Sequence, residues 1–333
     1  MILFIFNSLV FSNTDIRILR KNKHTFVGPG INQIVLLIIF FFTSTPLLWA
    51  DNIKASSAKR IISTSPSITE TLFELGLKDR VIAVTDFCKY PEEACQLPSI
   101  GGMLNPNMEK VVSLSPDLII HQSENQRLRN NAKSVGINTL DVRLGNLEEI
   151  FESIKKLGIA LNCLEQANKL TLHLNKGISF YQERLKGFHK IEVLLILGDS
   201  SDPARDLYAV GPGTFLNELL NLSGGKNIIR DSPARYPKLS KENIIEKSPK
   251  IIIEAGPKSN LTRKEIDLRI EEWNRFPTIE AVKRKQIYFI GADYILIPGP
   301  RLLKIIERFS KVIHPKLFLD QSDKSSIEKN LGP

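Results

Sequence analysis

The chain has 333 residues, 42% hydrophobic and 24% charged, with a formal net charge of +9 from 45 Lys+Arg against 36 Asp+Glu. That length suits about two ordinary domains with their own cores, and the composition excludes a fibrous or low-complexity chain. The basic excess does not mark a nucleic-acid binder, because Lys and Arg alternate with Glu along presumed helices such as IFESIKKLG and IIEKSPK and describe a solvated surface.

Arg17, Arg20, Lys21 and Lys23 precede an apolar run from Ile34 to Trp49, and LLWA then leads into Asp51. A basic region, an apolar region and a small residue are the order of a secretory signal, so residues 1–50 are expected to be a signal peptide cut after Ala50, giving a secreted protein. The run is about 16 residues, short of the ~20 that span a bilayer, and an uncleaved anchor is the competing reading. No Cys follows the run, which argues against a lipoprotein anchor. In an oxidising compartment Cys88 and Cys95, in FCKYPEEAC, are placed to close a small disulfide loop, leaving Cys163 single and buried.

In chain order, RIISTS is a short strand running into a Ser-Pro-Ser loop. SITETLFELGL carries the capping signature of a helix with Leu72, Leu75 and Leu77 apolar and Gly76 at its end. RVIAVTD, DLIIHQ and NTLDVR are further strands, and their alternation with helical segments implies a parallel sheet covered on both faces. Strand signals then stop. A helix with Ile150, Ile154 and Leu157 inward leads past Gly158 into a second, where Leu164, Ala167, Leu170, Leu174, Ile178, Tyr181 and Leu185 recur at spacings of three and four. At about 22 residues, or roughly 33 Å, this second helix is long enough to join two domains. The strands EVLLILGD, KIIIEAG and QIYFIGA follow, with GTFLNELLNLSGG and PRLLKIIERFSKVI as helices. The expected division is an N-terminal lobe over 51–160, a connecting helix over 161–187, a C-terminal lobe over 188–318 and a polar tail over 319–333.

The second half repeats the first. Aligning Glu109 in GGMLNPNMEKVVSLSPDLIIH with Glu242 in PKLSKENIIEKSPKIIIE puts Ser115-Pro116 on Ser248-Pro249 and Leu118-Ile119-Ile120 on Ile251-Ile252-Ile253. Asn107 or Ser240 stands two places before each Glu, so both carboxylates fall in the first turn of a helix. The fold class expected is α/β, with two similar Rossmann-like lobes of parallel strands joined by one long helix and a ligand cleft between them.

Ligands of such sheets sit at the carboxyl ends of the strands. The loops there carry Ser65-Pro66, Phe87, Tyr90 and Met103 in the first lobe, and Tyr208, Tyr236 and Tyr294 to Arg301 in the second. Their broad apolar faces and few charges suit a large, flat, partly apolar ligand better than a sugar or an amino acid. Catalytic arrangements are missing. There is no GxSxG, GPGTFLNELL lacks the Lys-Ser/Thr of a phosphate loop, and no two His stand at a metal-ligand spacing. His121, just past a strand end, is the one histidine placed to see the cleft, where it would meet a ligand's metal or serve as a structural histidine. No enzyme activity, cofactor or resident metal is expected.

RIISTSPSITETLFELGL, the DFCKYPEEA loop, GGMLNPNMEKVVSLSPDLII, GPGTFLNELLNLSGGKNI, YPKLSKENIIEKSPKIII and PGPRLLKIIERFSKVIHP together resemble, in order, the helical-backbone class of substrate-binding proteins of ABC importers. Within it the likeness is greatest to periplasmic cobalamin-binding proteins, and siderophore- and haem-binding relatives share the fold. The resemblance implies a monomer that holds cobalamin or a related corrinoid and delivers it to a two-fold permease in the inner membrane. It also implies that Glu109 and Glu242 meet arginine pockets on the two membrane subunits. Carried over by motif, the ligand contacts are Ser65, Pro66, Phe87, Tyr90, Met103, Tyr236 and Arg301, and Met103 stands where a relative can carry Trp. A secreted α/β enzyme is the reading of a different class.

Overall fold

The computed structural model describes residues 57–198 and 207–318. The expected signal peptide, its cut after Ala50 and the polar tail from 319 lie outside the described residues.

The first lobe is built on strands β1 (Ile61–Ser63), β2 (Val81–Ala83), β3 (Leu118–Gln122) and β4 (Asn138–Val142). They pair in parallel in the order β2-β1-β3-β4. Side chains alternate across the sheet: Ile61, Leu118 and Ile120 enter one core, and Ile62 and Ile119 enter a second. The second is closed by Val111 of helix α2 (Met108–Ser113) and by Leu128 and Ala132 of α3 (Gln126–Ser134). Helix α1 spans Pro66–Glu74. It begins earlier than the Ser-Pro-Ser loop suggested, because the fixed φ of Pro66 suits the first helical position, where no N–H is needed. It ends as expected: Gly76 has φ +75° and the Leu77 amide donates to the Leu72 carbonyl at 2.9 Å.

Helices α4 (Leu147–Ala160) and α5 (Leu164–Arg184, 21 residues) form the connection. Gly158 lies within α4 rather than at its end. A Cβ there would sit 2.5 Å from that of Ala167, so the glycine is where the two helix backbones meet.

The second lobe carries β5 (Ile191–Leu197), β6 (Leu207–Tyr208), α6 (Phe215–Leu222), β7 (Gly225–Asn227), β8 (Lys238–Leu239), α7 (Lys241–Lys247), β9 (Ile251–Gly256), α8 (Arg263–Asn274), α9 (Glu280–Lys283), β10 (Ile287–Gly291), α10 (Leu302–Ile313) and α11 (Pro315–Phe318). Its sheet is again parallel, in the order β10-β9-β5-β7. Numbered within the lobe this is the 2-1-3-4 order of the first sheet. The short strands β6 and β8 pair antiparallel. With two residues each they have no periodicity for a sequence to show, and β7 begins on the second glycine of the Gly224-Gly225 pair.

The repeat holds at the level of single residues. The Asn107 side chain accepts from the Lys110 amide at 3.0 Å and Ser240 from the Asn243 amide at 3.3 Å, so α2 and α7 start alike. Val111 and Ile244 are buried while Val112 and Ile245 are exposed. Both units end on a left-handed serine before a proline, Ser115 at φ 45° and Ser248 at φ 38°. The main core runs on from the first lobe into the second, joining Ile61 and Leu118 to Leu195, Ile253, Leu302 and Phe309 through α4, α5 and α10.

Candidate functional site

At the carboxyl ends of β1 and β3, Thr64, Met103, Leu104, Gln122, Glu124 and Asn125 line a cavity of about 120 Å³. The Asn125 side chain donates to the Met103 carbonyl at 3.3 Å and so fixes the loop that carries the methionine. Phe87 is 61% exposed, Tyr236 40% and Tyr90 37%, so these rings are not packed away within their own loops. Large apolar surface left in water is the usual mark of a binding face.

Arg301, expected at the ligand, is engaged within the protein. It is buried, its Nε and Nη2 donate to the two Glu70 carboxylate oxygens at 2.9 and 2.6 Å, and its Nη1 donates to Asp293 at 2.6 Å. Glu70 belongs to α1 of the first lobe and Arg301 caps α10 of the second, so this is a bond between lobes. Burial pushes the Glu70 carboxyl up, against the pull of Arg301. A second cross-lobe junction joins the Phe215 amide to the Gly145 carbonyl (2.8 Å) and the Leu147 amide to the Glu218 carboxylate (2.6 Å). Sequence reasoning missed Glu70 and Asp293. Ser65 is also corrected: at 1% exposure it lies beneath the surface, where its carbonyl accepts from the Thr69 amide, while Pro66 beside it is half-buried.

Two like lobes of this parallel topology narrow the comparison. Residues 61–294, well over half the chain, match the family model described as periplasmic binding protein. The chain belongs to the periplasmic binding protein family.

This periplasmic binding protein is 31% identical over 266 residues to the ABC transporter substrate-binding lipoprotein YvrC of Bacillus subtilis (strain 168), covering 78% of this chain and 81% of that one. The crystal structure of the periplasmic vitamin B12 binding protein BtuF of Vibrio cholerae is 26% identical, with a TM-score of 0.65 over 77% of this chain and 96% of that one. A periplasmic heme binding protein from Pseudomonas aeruginosa, 21% identical, shares the fold at a TM-score of 0.68 over 78% and 93% of the two chains. The family is one of substrate-binding transport proteins that work outside the cytoplasm with a permease partner and a small-molecule ligand.

In this binding protein Glu109 and Glu242 are both exposed on the first turns of α2 and α7. Cys88 and Cys95 are free thiols, contrary to the expected bridge. Cys88 is drawn into the core beside the hydroxyls of Thr69 (3.1 Å) and Thr85 (3.2 Å). Cys95 sits exposed on the Glu92–Gln96 turn, its thiol donating to the Lys89 carbonyl at 3.4 Å. Cys163 is single and buried, and burial pushes its thiol up.

His121 does not see the cleft. It is wholly buried on the Ile119 side of the sheet, with Nδ1 2.7 Å from the Gln122 carbonyl and Nε2 unpartnered. A carbonyl only accepts, so Nδ1 carries a proton, and a second one on the buried Nε2 would have no acceptor. Burial holds its pKa below the ordinary 6.5, helped by Arg129 and Lys156 and opposed by the Gln122 carbonyl and Asp141. Because the folded pKa is lowered, the unfolded chain binds the extra proton first, and stability is lost as pH falls below 6.5. Denaturant titrations should show a loss of up to about 1.4 kcal/mol per pH unit from this one group. His121→Leu should flatten that slope, and an unchanged slope would show that His121 titrates alike in the folded and unfolded chain.

Proposed function

We propose that this protein captures cobalamin or a related corrinoid between its lobes and delivers it to the two-fold permease of an ABC importer. The observation that carries the reading is the exposed aromatic set at the strand ends, Phe87 and Tyr90 in one lobe and Tyr208 and Tyr236 in the other. Broad aromatic faces exposed on both lobes suit a broad, flat ligand, and the vitamin B12-binding relative adds support. Met103 fills its wall with a flexible thioether that adapts to an irregular ligand edge. The exposed Glu109 and Glu242 are read as the two contacts with the permease.

Calorimetry with cyanocobalamin tests the ligand. Binding is expected, and Phe87→Ala and Tyr236→Ala should each weaken it about tenfold, since a ring contact is worth about 1 kcal/mol beyond its area. Both rings are exposed, so the substitutions leave the core alone. No heat at about 50 μM ligand, a limit near −6 kcal/mol, would refute a corrinoid ligand.

The second reading is haem. The exposed phenols of Tyr208 and Tyr236 favour it, because a tyrosine can ligate haem iron. A Soret band on titration with haemin that is lost in Tyr236→Phe would establish that reading in place of the first.

A further inference from the structure

Arg301 and its partners do more than join the lobes. The guanidinium lies under the Tyr90 ring at 4.1 Å and within 5.3 Å of the Tyr294 ring, while all three of its nitrogen groups are held by Glu70 and Asp293. Arg301 is 8% exposed and Glu70 1%, so the pair is screened from water, and the partners stand 231 residues apart on different lobes. One face of Tyr90 is thus covered by a fixed cation, and its remaining exposed area is the part a ligand can meet. Gly299 sits on the same seam: a Cβ there would lie 3.6 Å from the Ser67 Cα and 3.8 Å from a Glu70 oxygen, so the loop entering α10 lies close against the start of α1.

We infer that Arg301, Glu70 and Asp293 form a clamp that sets the spacing of the lobes at one end of the cleft and holds Tyr90 in its ligand-facing pose. They are positioning residues, acting on the ligand through Tyr90 and through the width of the cleft. A cation stacked on an aromatic ring, itself fixed by a bidentate carboxylate, leaves the ring little freedom to turn. The wall is therefore built before a ligand arrives, and no ordering cost is added on binding. The inference rests on the cleft being the ligand site.

The test uses the mature chain carrying Cys95→Ser, with spin labels on Lys110→Cys in α2 and Lys247→Cys in α7. The parent should give one narrow label-to-label distance that cyanocobalamin does not move. The variant is the double Glu70→Leu/Arg301→Met, which removes both charges together and strands neither. It should fold, broaden the distance distribution and narrow it again on adding cyanocobalamin. Affinity should fall about tenfold if the clamped spacing drops to roughly a tenth of the population. Should the double variant not fold, Asp293→Asn, on the exposed side of the guanidinium, is expected to broaden the distribution to a smaller degree. A folded variant with the parent's narrow distribution overturns the clamp. Lost affinity on an unchanged distribution also overturns it, and makes Arg301 a direct ligand contact. The label distances need no ligand, so a parent that fails to bind cyanocobalamin refutes the ligand reading while the clamp is still decided by the distances.

Discussion

A protein carrying Glu109→Ala together with Glu242→Ala is expected to bind its ligand as tightly as the parent and to support no uptake. Both carboxylates are exposed, on the first turns of helices that match in cap, in buried residue and in left-handed terminal serine. In a parallel lobe a helix that returns towards the next strand starts at the carboxyl edge of the sheet, so each Glu stands at that edge of its lobe. Two equivalent contacts fit a permease with two equivalent subunits. A charge-assisted bond to an arginine is worth about 1.5–3 kcal/mol, so losing both would remove roughly 3–6 kcal/mol of docking and all measurable transport. Calorimetry and uptake by cells expressing the importer measure the two halves separately. Full transport by the double variant would leave the carboxylates as helix-terminus charges only, worth about 0.3–1 kcal/mol each.

Arg301→Leu should be the most destabilising of the cleft substitutions, by about 3–5 kcal/mol in chemical denaturation. Both Glu70 oxygens take their bonds from Arg301, and Glu70 is 1% exposed, so the single change strands a carboxylate that water cannot reach. The paired change Glu70→Leu/Arg301→Met should recover most of that loss, because the desolvation of two charges disappears along with their attraction. A single variant within about 1 kcal/mol of the parent would contradict the burial of the pair.

The sequence made the local parts legible for local reasons. The caps Asn107 and Ser240, the Gly76 helix end, the 3.6-residue period of α5 and the duplicated Ser-Pro units are written in adjacent residues. The aromatic loops were legible because loops after parallel strands fall at one edge whatever the details of packing. The Arg301–Glu70 bond was not, since a contact between residues 231 apart leaves no mark in either neighbourhood. Glu70 in SITETL reads as an ordinary helical acid until the second lobe is set against it. His121 was placed just past a strand end, but β3 runs on to Gln122, so the ring lies within the strand on the Ile119 side of the sheet. Cys88 and Cys95 are close in sequence, yet Thr69 and Thr85 draw the first inward while the second stays on the surface turn.

The core that runs unbroken from Ile61 through α4, α5 and α10 to Phe309 makes the two lobes one thermodynamic unit. Neither half would keep its apolar surface covered if cut from the other, so the two lobes are expected to melt together. A small molecule held at the strand ends then stabilises every part of it, in proportion to the logarithm of concentration over dissociation constant. Melting temperature becomes a direct reporter of occupancy, and a panel of corrinoids, haems and siderophores can be ranked by it without a label, a permease or a prior choice of ligand.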